Sequence, residues 1–106
     1  MVKMKYKNQF TEVNGVRFHS IREASYYADY RLLLIAGEIH DLVLQPKYPI
    51  IINGKKICNV ILDFQFREKT GHLRVIDVKG MDTPMSKLKR KLVEAVYPHI
   101  TVEIVK

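Results

Sequence analysis

Cysteine is almost missing from this sequence. Cys58 stands alone among 106 residues, so no disulfide can form within one chain. In the strand-like "KKICNVIL" it reads as a small core residue. Histidine is sparse, and His19, His40, His72 and His99 are scattered. None has zinc-type spacing to the cysteine or to another histidine, which argues against a structural zinc site. Long apolar runs are lacking too. "LLLIA" and "NVIL" fall far short of the roughly 20 residues that cross a bilayer, so no membrane span is expected. The opening "MVKMKYKNQF" has no signal-peptide apolar stretch, and a cytoplasmic protein is expected. No internal repeat or low-complexity segment occurs, and the length suits one domain.

Acidic residues are the remaining deficit. Asp and Glu total 11 against 18 Lys and Arg, a net charge of +7. Such an excess favours a polyanionic partner, nucleic acid first. The plain alternative is a soluble protein that happens to be basic. Residues 1–8 read as a basic tail, in which Lys3, Lys5 and Lys7 alternate as an arm for phosphates or as a solvated end. Residues 9–106 read as the domain.

Turn and cap signals divide that domain. Asn14-Gly15 and Asn53-Gly54 each sit between β-prone runs and predict hairpins. Ser20 with Glu23 three places on forms a capping box, and Gly37 ends the helix, expected over about Ile21 to Ala36. Its apolar stripe is expected at Ile21, Ala24, Ala28, Leu32 and Ile35. Pro46 and Pro49 suit an edge strand. Tyr48–Ile52 is expected to pair with one long strand from Lys55 to about Arg67. A turn near Thr70 leads into Leu73–Val78. Thr83 and Pro84 open a second helix as N-cap and N1, with Leu88, Leu92 and Val96 as its stripe and Ala95 beside them. Ile100–Val105 follows as a strand, joined to Leu73–Val78 by a right-handed parallel crossover. The expected fold is a single α/β domain with a mixed central sheet and flanking helices.

One stretch, "RVIDVKG", stands apart. Side chains alternate along a strand, so Asp77 and Lys79 share a face. A turn centred on Thr70 sets Asp63 opposite Asp77, with Cβ atoms ~5 Å apart. Two such anions repel, so one takes up a proton or a cation sits between them. Oxygen donors favour Mg²⁺ or Mn²⁺. Lys79 would stand beside it, holding a water or steadying charge on a phosphate. That is an inventory for cutting a phosphodiester. The bland reading is an ion pair between Lys79 and the aspartates.

The pieces "FHSIREASYYADYRLLLIAGEI", "LVLQPKY", "LDFQF" and "VIDVKGMDTPMSKLKRKL" resemble a family of small phage-encoded nuclease-like proteins. That family lies within the PD-(D/E)XK, restriction-endonuclease-like superfamily, and the likeness covers nearly everything after Phe10. The element order α–β–β–β–α–β matches as well. The resemblance implies Glu23, Asp63 and Asp77 as metal ligands, with a contribution from the Val78 carbonyl, and Lys79 as the catalytic lysine. Leu62 stands where the signature has proline.

The expectation is an Mg²⁺-dependent DNA endonuclease, selective for branched DNA in the manner of a Holliday junction resolvase. It would act in phage recombination or packaging, in the host cytoplasm, as a homodimer. The contrasting expectation is a non-catalytic basic module that binds nucleic acid on a nuclease fold. Lys3, Lys5, Lys7, Gln45, Lys87, Arg90 and Lys91 are the expected DNA contacts. Thr83 and Ser86 are candidates for phosphate at a helix N-terminus. Tyr26, Tyr27 and Tyr30 are expected in the core or an interface.

Overall fold

The computed structural model describes residues 11–13, 15–18 and 20–106. The basic tail with Lys3, Lys5 and Lys7 lies outside them. In chain order the elements are β1 (Thr11–Val13), β2 (Val16–Phe18), α1 (Ile21–Ile35), β3 (Ile39–Leu44), β4 (Lys47–Ile52) and β5 (Lys55–Ile61). They continue with β6 (Phe64–Glu68), β7 (Leu73–Val78), α2 (Pro84–Val96) and β8 (Val102–Val105). A four-stranded mixed sheet runs β3–β6–β7–β8, and β1–β2 and β4–β5 form two separate ribbons. β7 pairs with β8 in parallel across α2, as the crossover predicts. The result is a small α/β domain with a mixed sheet and two helices. Among the described residues no helix is long and apolar enough to cross a membrane.

The central sheet separates two apolar clusters. On the α1 side, Phe64, Phe66 and Ile76 pack with Phe18, Ala24, Tyr27 and Tyr30. On the α2 side, Val75 packs with Tyr48, Ile50, Val60, Leu62, Val93, Ile100 and Val102. Burying one such side chain stabilises the fold by about 1.5–3 kcal/mol.

Three expectations need correcting here. The long strand from Lys55 to Arg67 is two strands, broken at Leu62–Asp63. Before the break the chain pairs with β4, and after it with β3 and β7. The stripe of α1 is Ala24, Tyr27 and Tyr30, while Ile21, Leu32 and Ile35 are exposed. Tyrosine rings reach further into the sheet than the aliphatic side chains, so they set the helix's rotation. The inward face of α2 is Val93 flanked by Leu92 and Val96, and Leu88 and Ala95 are exposed.

Candidate acidic site at the end of β7

Strand register places the first two acids. Phe64 pairs with Ile76 and Gln65 with Val75, so the next step toward the break sets Asp63 opposite Asp77. The Asp63 amide donates to the Ile76 carbonyl at 3.1 Å, continuing the ladder past the last paired residue. Its carboxylate accepts from the Val78 amide at 2.6 Å, and its carbonyl accepts from the Gln45 amide at 3.0 Å. The Asp63 and Asp77 carboxyl groups lie close enough to perturb each other.

The third acid arrives from α1. Ser20 caps that helix by accepting from the Glu23 amide at 3.0 Å, which fixes Glu23 in the first turn. From there the Glu23 carboxylate comes near enough to raise the Asp63 carboxyl. Lys79 completes the group. Its amide donates to the Val105 carbonyl at 2.8 Å, and its Nζ stands 3.4 Å from Asp77 Oδ2. The structure therefore brings Asp63, Asp77 and Lys79 together at the strand ends, with Glu23 in electrostatic reach of Asp63.

Burial governs the electrostatics. Asp77 is only 4% exposed. Loss of water pushes its carboxyl up to about 6, against the pull of Lys79 and with the push of Asp63. Loss of water likewise raises Asp63 to about 6. Glu23 adds to the rise, and the Val78 amide opposes it. Crowded carboxyls near pH 6 share protons or call for a cation. Among the described residues, however, no three His, Cys, Asp or Glu side chains form a group able to hold a metal ion. The donor chemistry still suits a hard divalent ion, since all three side chains are carboxylates and their mutual repulsion is what such an ion relieves.

A cleft of about 100 Å³ opens beside Asp77, lined also by Ile61, Lys79, Ser86, Lys89 and Arg90 among others. The larger concavity, about 510 Å³ beside α1, is lined by Ile21, Arg22, Ser25, Tyr26, Asp29 and Lys106. Asp77 and Lys79 line the smaller cleft, so it is the chemical one.

The expected DNA contacts divide. Lys87 and Lys91 are exposed on α2. Gln45 is exposed beside the site with φ of 50°, its backbone tied to Asp63. Arg90 is different: its guanidinium grips Asp82 at 2.8 and 2.7 Å and comes within 3.8 Å of Asp77. With its side chain 12% exposed, it positions the loop before α2 instead of standing free for DNA. Val78 takes part through its amide. Ser86 donates its amide to Thr83 Oγ1 at 3.1 Å, so Thr83 serves as the cap.

Sequence reasoning took Lys89 only as part of the Lys87–Lys91 cluster and passed over Arg22. A Cβ on Gly80 would lie 2.6 Å from Arg22 Nη1, so this arginine lies against the residue that follows Lys79. The signal was present: Arg22 adjoins Glu23, and glycine after the lysine leaves room for it.

The model of a family described as a protein of unknown function, DUF1064, matches residues 3–106. No curated protein and no solved structure matches the chain.

Proposed function

We propose that this chain, which belongs to the DUF1064 family, is a metal-dependent DNA endonuclease of the restriction-endonuclease-like, PD-(D/E)XK type. The observation carrying this reading is the placement of Asp63 opposite Asp77 across β6 and β7, with the Lys79 ammonium 3.4 Å from Asp77 and Glu23 near enough to raise the Asp63 carboxyl. Asp63 at the β5–β6 break and Asp77 and Lys79 at the end of β7 come together there, within electrostatic reach of Glu23 on α1. A stable fold has no need for such a costly meeting.

Glu23, Asp63 and Asp77 would hold Mg²⁺ or Mn²⁺. Bound there, the ion supplies charge neutralisation, a more acidic water and a polarised phosphate. The chain's own residues do the rest. Lys79 presents protons at Nζ toward the attacking water or toward a phosphate oxygen gaining charge. Arg90 holds Asp82 and so fixes the turn between Lys79 and α2. Lys87, Lys89 and Lys91 attract the DNA backbone from α2. The net charge of +7 draws the duplex in. The substrate is proposed to be branched DNA of the Holliday junction type, cut by a cytoplasmic homodimer in phage recombination or packaging.

The test is a panel of linear duplex, single strand, flap and four-way junction, with EDTA, Mg²⁺ or Mn²⁺, and RNA alongside. Cleavage with metal alone is expected, and Asp77→Ala and Lys79→Ala each abolish it while DNA binding survives. One observation favours a second reading, a binding module without catalysis: no ready three-donor metal group is present among the described residues. Wild-type protein that binds every DNA form and cuts none with either ion would establish that alternative.

A further inference from the structure

The cleft beside Asp77 takes only Val60 and Ile61 from the β4–β5 ribbon. Its inner face, Tyr48, Ile50, Cys58 and Val60, packs on the α2-side core. Its outer face begins at the cleft wall with Ile61, which pairs with Lys47. Toward the tip, Ile50 pairs with Cys58 and Ile51 with Lys56, so Ile57 is the extra residue of a bulge. A bulge sharpens the local twist and re-aims its side chains. Ile51, Ile57 and Ile61 are 51%, 53% and 58% exposed, a costly arrangement on an unpartnered surface. From Pro46 to Leu62 the chain carries Lys47, Lys55 and Lys56 and no acidic residue.

We propose that this ribbon is a DNA-binding arm. Its lysines neutralise phosphates next to the cut site, and Ile51 and Ile57 press into the minor groove between them. Isoleucine is among the apolar wedges that unstack base steps there. A strand the length of β5 reaches roughly 20 Å, enough to follow about six base pairs from the cleft. Charge chooses DNA over a second copy of the ribbon, since a two-fold pairing would set lysines against lysines with no acid between them. The inference rests on the proposed function only in taking DNA as substrate.

Binding is measured by fluorescence anisotropy in EDTA, on a four-way junction and a linear duplex carrying 2-aminopurine. The proteins are wild type, the Lys55→Ala/Lys56→Ala pair and the Ile51→Ser/Ile57→Ser pair. All four positions are exposed, and circular dichroism verifies folding. The lysine pair is expected to weaken binding roughly 10-fold and to flatten the log–log salt dependence by about 1.8, since each lost phosphate contact removes about 0.9. The isoleucine pair is expected to weaken binding about 5-fold at unchanged salt slope and to lose the 2-aminopurine brightening seen with wild type. Wild-type binding by both pairs overturns the proposal. So does an isoleucine pair that binds normally but falls from two chains to one in sedimentation, which assigns the face to a second copy. Because EDTA removes cleavage from the assay, an inert nuclease with a ribbon-dependent affinity sinks only the catalytic reading. An active nuclease with ribbon-independent affinity sinks only the arm.

Discussion

Asp63 is held at three points, by the Ile76 carbonyl, the Val78 amide and the Gln45 amide. Its neighbour Asp77 is nearly sealed from water. Both carboxyls titrate near 6, above the ordinary 3.8, so between those values the folded chain binds more protons than the unfolded one. Stability from the pair is therefore fully present below about 3.8 and is lost as pH rises through about 6. The ionised pair accordingly costs stability at neutral pH in metal-free protein. Urea unfolding in EDTA should show Asp77→Asn more stable than wild type at about pH 7.5, with the gap closing near pH 4. Added Mg²⁺ should stabilise wild type at the higher pH and leave Asp77→Asn unmoved. This pairing was legible in the sequence because alternation and a turn at Thr70 fix the register. Arg90's grip on Asp82 was not, since spacing alone leaves a helix arginine looking like one more solvated cation.

At the scale of elements, caps aim the chemistry. The Ser20 side chain satisfies the first turn of α1, and that turn delivers Glu23. Ser20→Ala should cost about 1 kcal/mol of stability. It should also lower cleavage more than binding, with Ser20→Thr restoring both in thermal melts and turnover assays. Both helix starts were readable, because serine with glutamate and threonine with proline are local chemistry. The break at Leu62–Asp63 was hidden. Val60, Leu62, Phe64 and Phe66 are all buried, so the two-residue period runs through it without a fault. Yet Val60 and Leu62 enter one core and Phe64 and Phe66 the other. Periodicity reports that a residue is buried and is blind to which side it is buried on. The stripe of α1 was misread at Ile21, Leu32 and Ile35, whereas Tyr27 and Tyr30 lie in the core, one of the two places expected for them.

For the whole molecule, one strand joins two cores. Val75 and Ile76 are neighbours in β7, both almost fully buried, on opposite faces. Damage on either side should therefore spread through the sheet. Phe64→Ala and Ile50→Ala should cost about 3–5 and 2–5 kcal/mol respectively. Against a total of about 5–15 kcal/mol these are large losses. Urea curves followed by tyrosine fluorescence and by far-ultraviolet circular dichroism should coincide for each variant. Separate transitions would mean that the two halves unfold independently. The ribbon has a different freedom. Its ends are tied by the Leu62 amide donating to the Pro46 carbonyl at 3.0 Å, and its tip turns tightly at Asn53 and Gly54, with φ of 50° and 78°. Insertions near that apex leave both cores and every acid where they are. A single added residue per strand would turn only the side chains beyond it to the other face, whereas two preserve their facing. Relatives of this chain should accordingly lengthen or shorten their reach in even increments, a rule that comparing hairpin lengths across the family would expose.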